Sequence, residues 1–165
     1  MLGTTHILTA STIATLPLLT NTNFDIKIYT MVYIGILIGS ILPDIDEPDS
    51  LIGKRLSFIA YPINIIFGHR TITHNIFFGI AIGILGLLLN IDIIVGMGIG
   101  VIIHILSDSV TQSGINGALF PITSYHTKFA ILPYSFRLKV GGIVELCLLV
   151  ILSICQVYIF INILQ

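Results

Sequence analysis

Residues 56–68, LSFIAYPINIIFG, decide the fold. The run is apolar but only 13 residues long, and it contains Pro62 and Asn64. Apolar runs of ~10–14 residues are more often interfacial or re-entrant than spanning. Pro62 also removes a backbone donor, which is costly in lipid unless a neighbour compensates. The run is therefore read as one that turns back.

Five longer apolar blocks lie outward from it, at 7–20, 28–42, 74–89, 93–107 and 141–164. The first four have 14 to 16 residues, short of the ~20 that cross hydrocarbon. Local thinning of the bilayer or polar flanks accommodate such spans. The fifth is long enough outright, and Tyr158 near its end suits an interface. With 55% apolar residues, 9% charged and a mean hydropathy of +1.05, the chain is far from a soluble domain. The expected fold is an all-α polytopic membrane helix bundle, residues 1–165 forming one domain, with about five spanning helices plus a short re-entrant or interfacial helix.

Charge supports this topology. If 56–68 does not cross, the N-terminus, the 43–73 segment and the 108–140 loop share one side. That side holds Lys54, Arg55, Arg70, Lys128, Arg137 and Lys139, and only Lys27 lies opposite. Such a bias marks the crowded side as cytoplasmic and the protein as a multi-pass protein of the cell's inner membrane. Were the run to cross, the bias would largely cancel. MLGTTHILTASTIATLPLLTN lacks the basic start of a signal peptide and is read as a retained first helix. The net charge of −1 and the absence of Lys/Arg blocks argue against a nucleic-acid partner. Cys147 and Cys155 have neither metal-type spacing nor a disulfide framework.

Under this topology the polar residues gather. His6 opens the first helix, and "GSILPDIDEPDS" brings Asp44 and Asp46 to the end of the second. "GHRTITHN" brings His69, Arg70 and His74 to the start of the third, and "HILSD" brings His104 and Asp108 to the end of the fourth. Ionisable groups at membrane helices are rare and mark function. His104 and Asp108, at i and i+4, share a helix face, where they can grip one metal or let the aspartate bridge two. Imidazole with carboxylate suits zinc, manganese or iron better than calcium or magnesium. Each element also has a plainer reading: an interfacial His6, a solvated acidic turn, a His104–Asp108 pair. His126 is read as an ordinary surface histidine.

Taken together, "MLGTTH", "GSILPDIDEPDS", "GHRTITHN", "HILSDSVTQSGI" and "FRLKVGGIVE" resemble the YdjM-like family of LexA-regulated, inner-membrane-associated metal-dependent hydrolases. Thr71 and Ile72 stand where that family often has a glycine. A more distant likeness, through H-x3-D on a helix, is to zinc-dependent phospholipase C. The resemblance implies His6, Asp44, His69, His74, His104 and Asp108 as ligands of one or two divalent transition-metal ions, zinc first. It places Asp46 at the same metal site and implies Arg70 as the holder of an anionic substrate group. An aspartate not used as a ligand would take the proton of the activated water, and Asp46 is read as that base. Lys54, Arg55, Arg137 and Lys139 would face anionic headgroups, and Glu145 would meet Arg137, Lys139 or a ligand histidine.

The expected activity is metal-assisted hydrolysis of a phosphoester or another amphiphilic, lipid-like substrate at the cytoplasmic face, with the lipid bilayer as partner. No G-x-S-x-G elbow is present, which disfavours serine-hydrolase chemistry. The alternatives are a metal or proton transporter and a non-catalytic membrane protein with a structural metal. Against transport, the turns at the far face carry only Asp25 and Asp92 as acids, and nothing polar is expected to connect across.

Overall fold

The computed structural model describes residues 1–20, 25–67 and 72–163. Its helices are α1 (Gly3–Thr15, extended by a 3-10 turn Leu16–Thr20), α2 (Ile26–Gly39), α3 (Ser57–Phe67), α4 (Ile76–Leu89), α5 (Asp92–Ser109) and α6 (Ile143–Ile163). Ile26–Asp46, Asp92–Ser109 and Ile143–Asn162 are long and apolar enough to cross a membrane outright. The all-α membrane bundle expected from the sequence is what forms. Among the described residues two short strands, β1 (Ile115–Asn116) and β2 (Lys128–Phe129), pair antiparallel in the loop between α5 and α6.

Local signals set the helix ends. Asp25 caps α2 by accepting from the backbone N–H groups of Lys27 and Ile28, which satisfies donors that have no partner inside the helix. Asn75 does the same for α4 through the N–H of Phe77. Asn90 closes α4 in the left-handed region at φ 54°, a conformation asparagine tolerates. Its tight turn feeds directly into α5.

Glycine governs how the helices meet. Gly35 and Gly39 of α2 face Gly96 and Gly100 of α5, so the backbones touch. A Cβ on Gly39 would sit 2.8 Å from the Met97 carbonyl carbon, and one on Gly100 would sit 2.8 Å from Ser40 N. Lipid tails supply no hydrophobic drive between helices, so close packing through small residues does that work. Val32 meets Gly96 and Ile36 meets Gly100, so α2 and α5 run parallel. Gly79 meets Val101 and Ile102 while Gly86 meets Val95, so α4 runs antiparallel to α5.

Helix α1 completes the bundle. It runs antiparallel to α2, with Ser11 against Tyr33 and Ala14 against Tyr29. It runs parallel to α6, with Leu2 near Glu145 and Thr12 near Gln156. These directions bring the starts of α1, α4 and α6 and the ends of α2 and α5 to one end. There α3 packs on the Pro43–Asp46 turn, tied by Asn64 Nδ2 donating to Asp46 O at 2.7 Å. Thr73 bonds Asp46 at that same end.

Two expectations need correction. Among the described residues, Glu145 meets neither Arg137, Lys139 nor a histidine. It is fully buried and accepts from the N–H groups of Leu2 and Gly141, each at 2.7 Å, fastening α1 to the start of α6. Arg137 instead donates to Leu132 O and lies over Tyr134. Nor is the bundle interior purely apolar toward the far face. Ser11, Thr12, Thr15 and Gln156 form hydrogen bonds between α1 and its neighbours.

Candidate metal centre

The shared end of the bundle collects four helix termini, and the side chains they carry converge. His6 lies in the second turn of α1, and Asp44 and Asp46 in the turn after α2. His74 immediately precedes the Asn75 cap of α4, and His104 and Asp108 close α5. All but Asp44 are buried, and Asp44 is 15% exposed. His69 and Arg70 lie outside the described residues.

The protons of two imidazoles are already assigned by their partners. His104 Nδ1 lies 2.7 Å from the Ser40 carbonyl oxygen, which only accepts, so Nδ1 donates there. His74 Nδ1 lies 3.3 Å from Asp46 Oδ2, while the Thr73 hydroxyl donates to that same oxygen. The two Nε2 atoms face each other across 3.3 Å, a separation that a shared proton or a bound cation would satisfy. Asp44 Oδ1 stands 3.6 Å from His104 Nε2 and 3.9 Å from His74 Nε2. Two imidazole nitrogens and a carboxylate converge on one point of a buried site, an arrangement that a cation there would stabilise. The donor chemistry fits a transition-metal ion.

Asp108 joins this set to His6. Its Oδ2 is 3.9 Å from His74 Nε2, and its Oδ1 is 3.3 Å from His6 Nε2 and bonded to the Met1 amino group. Neither ring nitrogen of the buried His6 has a hydrogen-bond partner among the described residues, a costly arrangement unless another group binds there. Two groups of ligand atoms each lie within 4.8 Å: His6, His104 and Asp108, and Asp44, His74 and His104. The His6 ring stacks on His104 at 3.7 Å, with the planes only 12° apart. A metal lies near the plane of its imidazole, so these two parallel rings address different positions.

Asp46 stands apart from both groups. Completely buried on the Nδ1 side of His74, it faces away from the convergence point. Asp44 connects the centre to the exterior, because it also lines a cleft of about 790 Å³ together with Glu47, Asp49, Ser50, Lys54 and Arg55. His126 is exposed and packs edge-on against Tyr125, away from the cluster. Two contributors escaped the sequence reading: the Ser40 carbonyl, which is invisible to it, and Thr73, which sits inside the GHRTITHN stretch.

The fold and this end of it define a class: a polytopic membrane helix bundle with a buried histidine–aspartate centre able to hold metal. The chain belongs to the YdjM family, whose model, described as YdjM inner membrane protein, matches residues 1–164. It is an inner membrane protein of that family. Over 86 residues it is 38% identical to Inner membrane protein YdjM of Escherichia coli (strain K12), covering 48% of this chain and 44% of that protein. The protein of the same name from Shigella flexneri matches equally. Over 88 residues the chain is 32% identical to Uncharacterized protein YvsG of Bacillus subtilis (strain 168), covering 52% of this chain and 54% of that one. The chain spans about half the length of the curated relatives it matches. No solved structure matches it.

Proposed function

We propose that this protein is a metal-dependent hydrolase acting on a phosphoester of lipid-like character at the cytoplasmic face of the membrane. The observation that carries the reading is the convergence of His74 Nε2, His104 Nε2 and Asp44 Oδ1, of which Asp44 also lines the cleft. Asp44, His74 and His104 would hold one ion, and His6 and Asp108 would provide a second position. Zinc leads by donor chemistry. A bound ion would supply Lewis acidity and lower the pKa of water from about 15.7 to about 7.

The chain's own residues do the rest. The Ser40 carbonyl fixes the tautomer of His104, and Asp46 fixes that of His74. This is the orienting role that carboxylates commonly play behind metal-bound histidines. Asp46 is therefore assigned to positioning rather than to the general base expected from the sequence. Asp44 lies between the cleft and the histidines, and is placed to take the proton of a water entering there. The apolar walls of α1, α2 and α5 keep bulk water from the buried side of the cluster. A site at the ends of membrane helices favours a substrate arriving sideways from the bilayer.

The test is metal analysis followed by a substrate screen. Protein purified in non-ionic detergent and dialysed should retain about one to two transition-metal ions per chain. His104→Ala and Asp108→Ala should each lose metal, and His126→Ala should keep it. The metal-loaded protein should hydrolyse at least one phosphomonoester, phosphodiester or phospholipid in a generic panel. Metal retention in both of the first two variants overturns the centre, and a metal-loaded protein inert across the panel overturns the activity.

A further inference from the structure

The cleft beside the centre carries opposite charges that do not meet. Asp49, Lys54 and Arg55 all line it and all are exposed, yet none forms an ion pair among the described residues. The Arg55 Nη1 group donates to the Leu51 carbonyl at 3.2 Å, leaving most of its guanidinium unspent. These charges stand on a held loop. Ser50 Oγ donates to Asp44 O at 2.7 Å and accepts from Gly53 N at 2.8 Å, and Ser50 N bonds Glu47 O. A Cβ on Gly53 would overlap the Glu47 carbonyl, so the turn is closed on itself.

Unpaired charges of both signs across one cavity favour a ligand that is itself dipolar. A purely anionic group would satisfy Lys54 and Arg55 but would bring its charge against Asp44 and Asp49. A purely cationic group would fail at the other side. Complementary placement of charge confers such discrimination. Phosphate oxygens suit the forked guanidinium of Arg55 and the point charge of Lys54. We propose that the cleft receives a zwitterionic phospholipid headgroup, its phosphate at Lys54 and Arg55 and its ammonium at Asp49. This rests on the hydrolase reading for the identity of the substrate, and would set the phosphoester beside Asp44. The cleft opens at the end of the spanning helices, where lipid headgroups lie.

Binding is the readout that separates this inference from catalysis. The full chain in non-ionic detergent, with metal chelated to prevent turnover, is titrated calorimetrically with dihexanoyl phosphatidylethanolamine, dihexanoyl phosphatidylglycerol and free phosphoethanolamine. The ethanolamine lipid should bind about fivefold more tightly than the glycerol lipid, the upper range of an exposed ion pair. Asp49→Asn should abolish that preference without weakening the glycerol lipid, and Lys54→Ala with Arg55→Ala should weaken both lipids. Equal binding of the two lipids by the unaltered protein, or a preference that survives Asp49→Asn, overturns the proposal. Free phosphoethanolamine binding as tightly as its lipid overturns the lipid assignment in favour of a soluble ligand. Headgroup preference without hydrolysis of any phosphoester sinks the catalytic reading alone, whereas hydrolysis without preference sinks this inference alone.

Discussion

Replacing Gly100 by alanine tests whether helix packing sets the geometry of the centre. The new Cβ would overlap the Ile36 carbonyl oxygen and lie 2.8 Å from Ser40 N. Ordinary contact needs ~3.5 Å, so α2 and α5 must part by roughly 1 Å at this level. One turn further along α5, His104 Nδ1 donates to Ser40 O at 2.7 Å, and its Nε2 is 3.6 Å from Asp44 Oδ1. The same displacement takes that hydrogen bond beyond useful length and frees the ring. Overpacking of this kind costs about 1–3 kcal/mol. Loss of an orienting partner behind a ligand histidine lowers metal affinity by about 10- to 100-fold. Thermal unfolding in detergent and competitive titration with a zinc-binding dye would report the two effects separately. Gly83→Ala is the matched control, because a Cβ there meets nothing within 4 Å. If Gly100→Ala melts and binds metal like the unaltered protein, the glycine seam does not hold the centre.

Other perturbations address other joints. Asp46→Asn should weaken metal binding by about 10- to 100-fold as its grip on His74 Nδ1 loosens, and unchanged affinity would deny Asp46 a role in orienting His74. Glu145→Gln should lower stability by about 1.5–3 kcal/mol, since a buried carboxylate accepting two backbone N–H groups is replaced by a neutral amide. A melting temperature matching the unaltered protein would deny Glu145 its fastening role. Single cysteines at Ser50 and Ser124 should react with an impermeant maleimide only from the cytoplasmic side of oriented vesicles, and labelling from opposite sides would refute the non-crossing α3.

The bundle was legible because lipid allows a chain few choices. Backbone polar groups must pair within the segment, so the apolar blocks at 28–42, 74–89 and 93–107 fall within about two residues of α2, α4 and α5 at most ends. Pro62 and Asn64 marked α3 as the odd member, and Asn64 proves to spend its amide on the Asp46 carbonyl. The gathering of His6, Asp44, His74, His104 and Asp108 followed from topology, because each stands at the same end of its block. What stayed hidden was direction within the cluster. No spacing rule reveals that Asp46 turns behind His74 while Asp44 turns toward the cleft, since two residues of one 3-10 turn are aimed by contacts from α3 and Thr73. Glu145 was misplaced for a similar reason. Its partners are backbone N–H groups, which every residue carries and no sequence distinguishes. The glycine seam was visible in principle as G-x-x-x-G at 35–39 and again at 96–100.

The distribution of buried charge also separates chemistry at one face from transport across the bundle. His6, Asp46, His74, His104, Asp108 and Glu145 are the buried ionisable side chains among the described residues, and all lie at one end. Toward the other end the interior offers hydroxyls and one amide. Thr12 donates to Leu8 O at 2.8 Å and Thr15 to Ser11 O at 2.9 Å, each one turn back along α1. Ser11 pairs with Tyr33 at 2.8 Å, and Gln156 Oε1 accepts more weakly from both threonines. Hydroxyls bonded to their own helix hold helices together in lipid, whereas a proton or metal pathway requires ionisable groups along its length. A centre that meets the outside through Asp44, and is backed by bonded hydroxyls, favours the proposed reading of chemistry at the cleft over transport. Transport would need ligands beyond Thr12, where, among the described residues, the buried side chains carry no carboxylate and no imidazole.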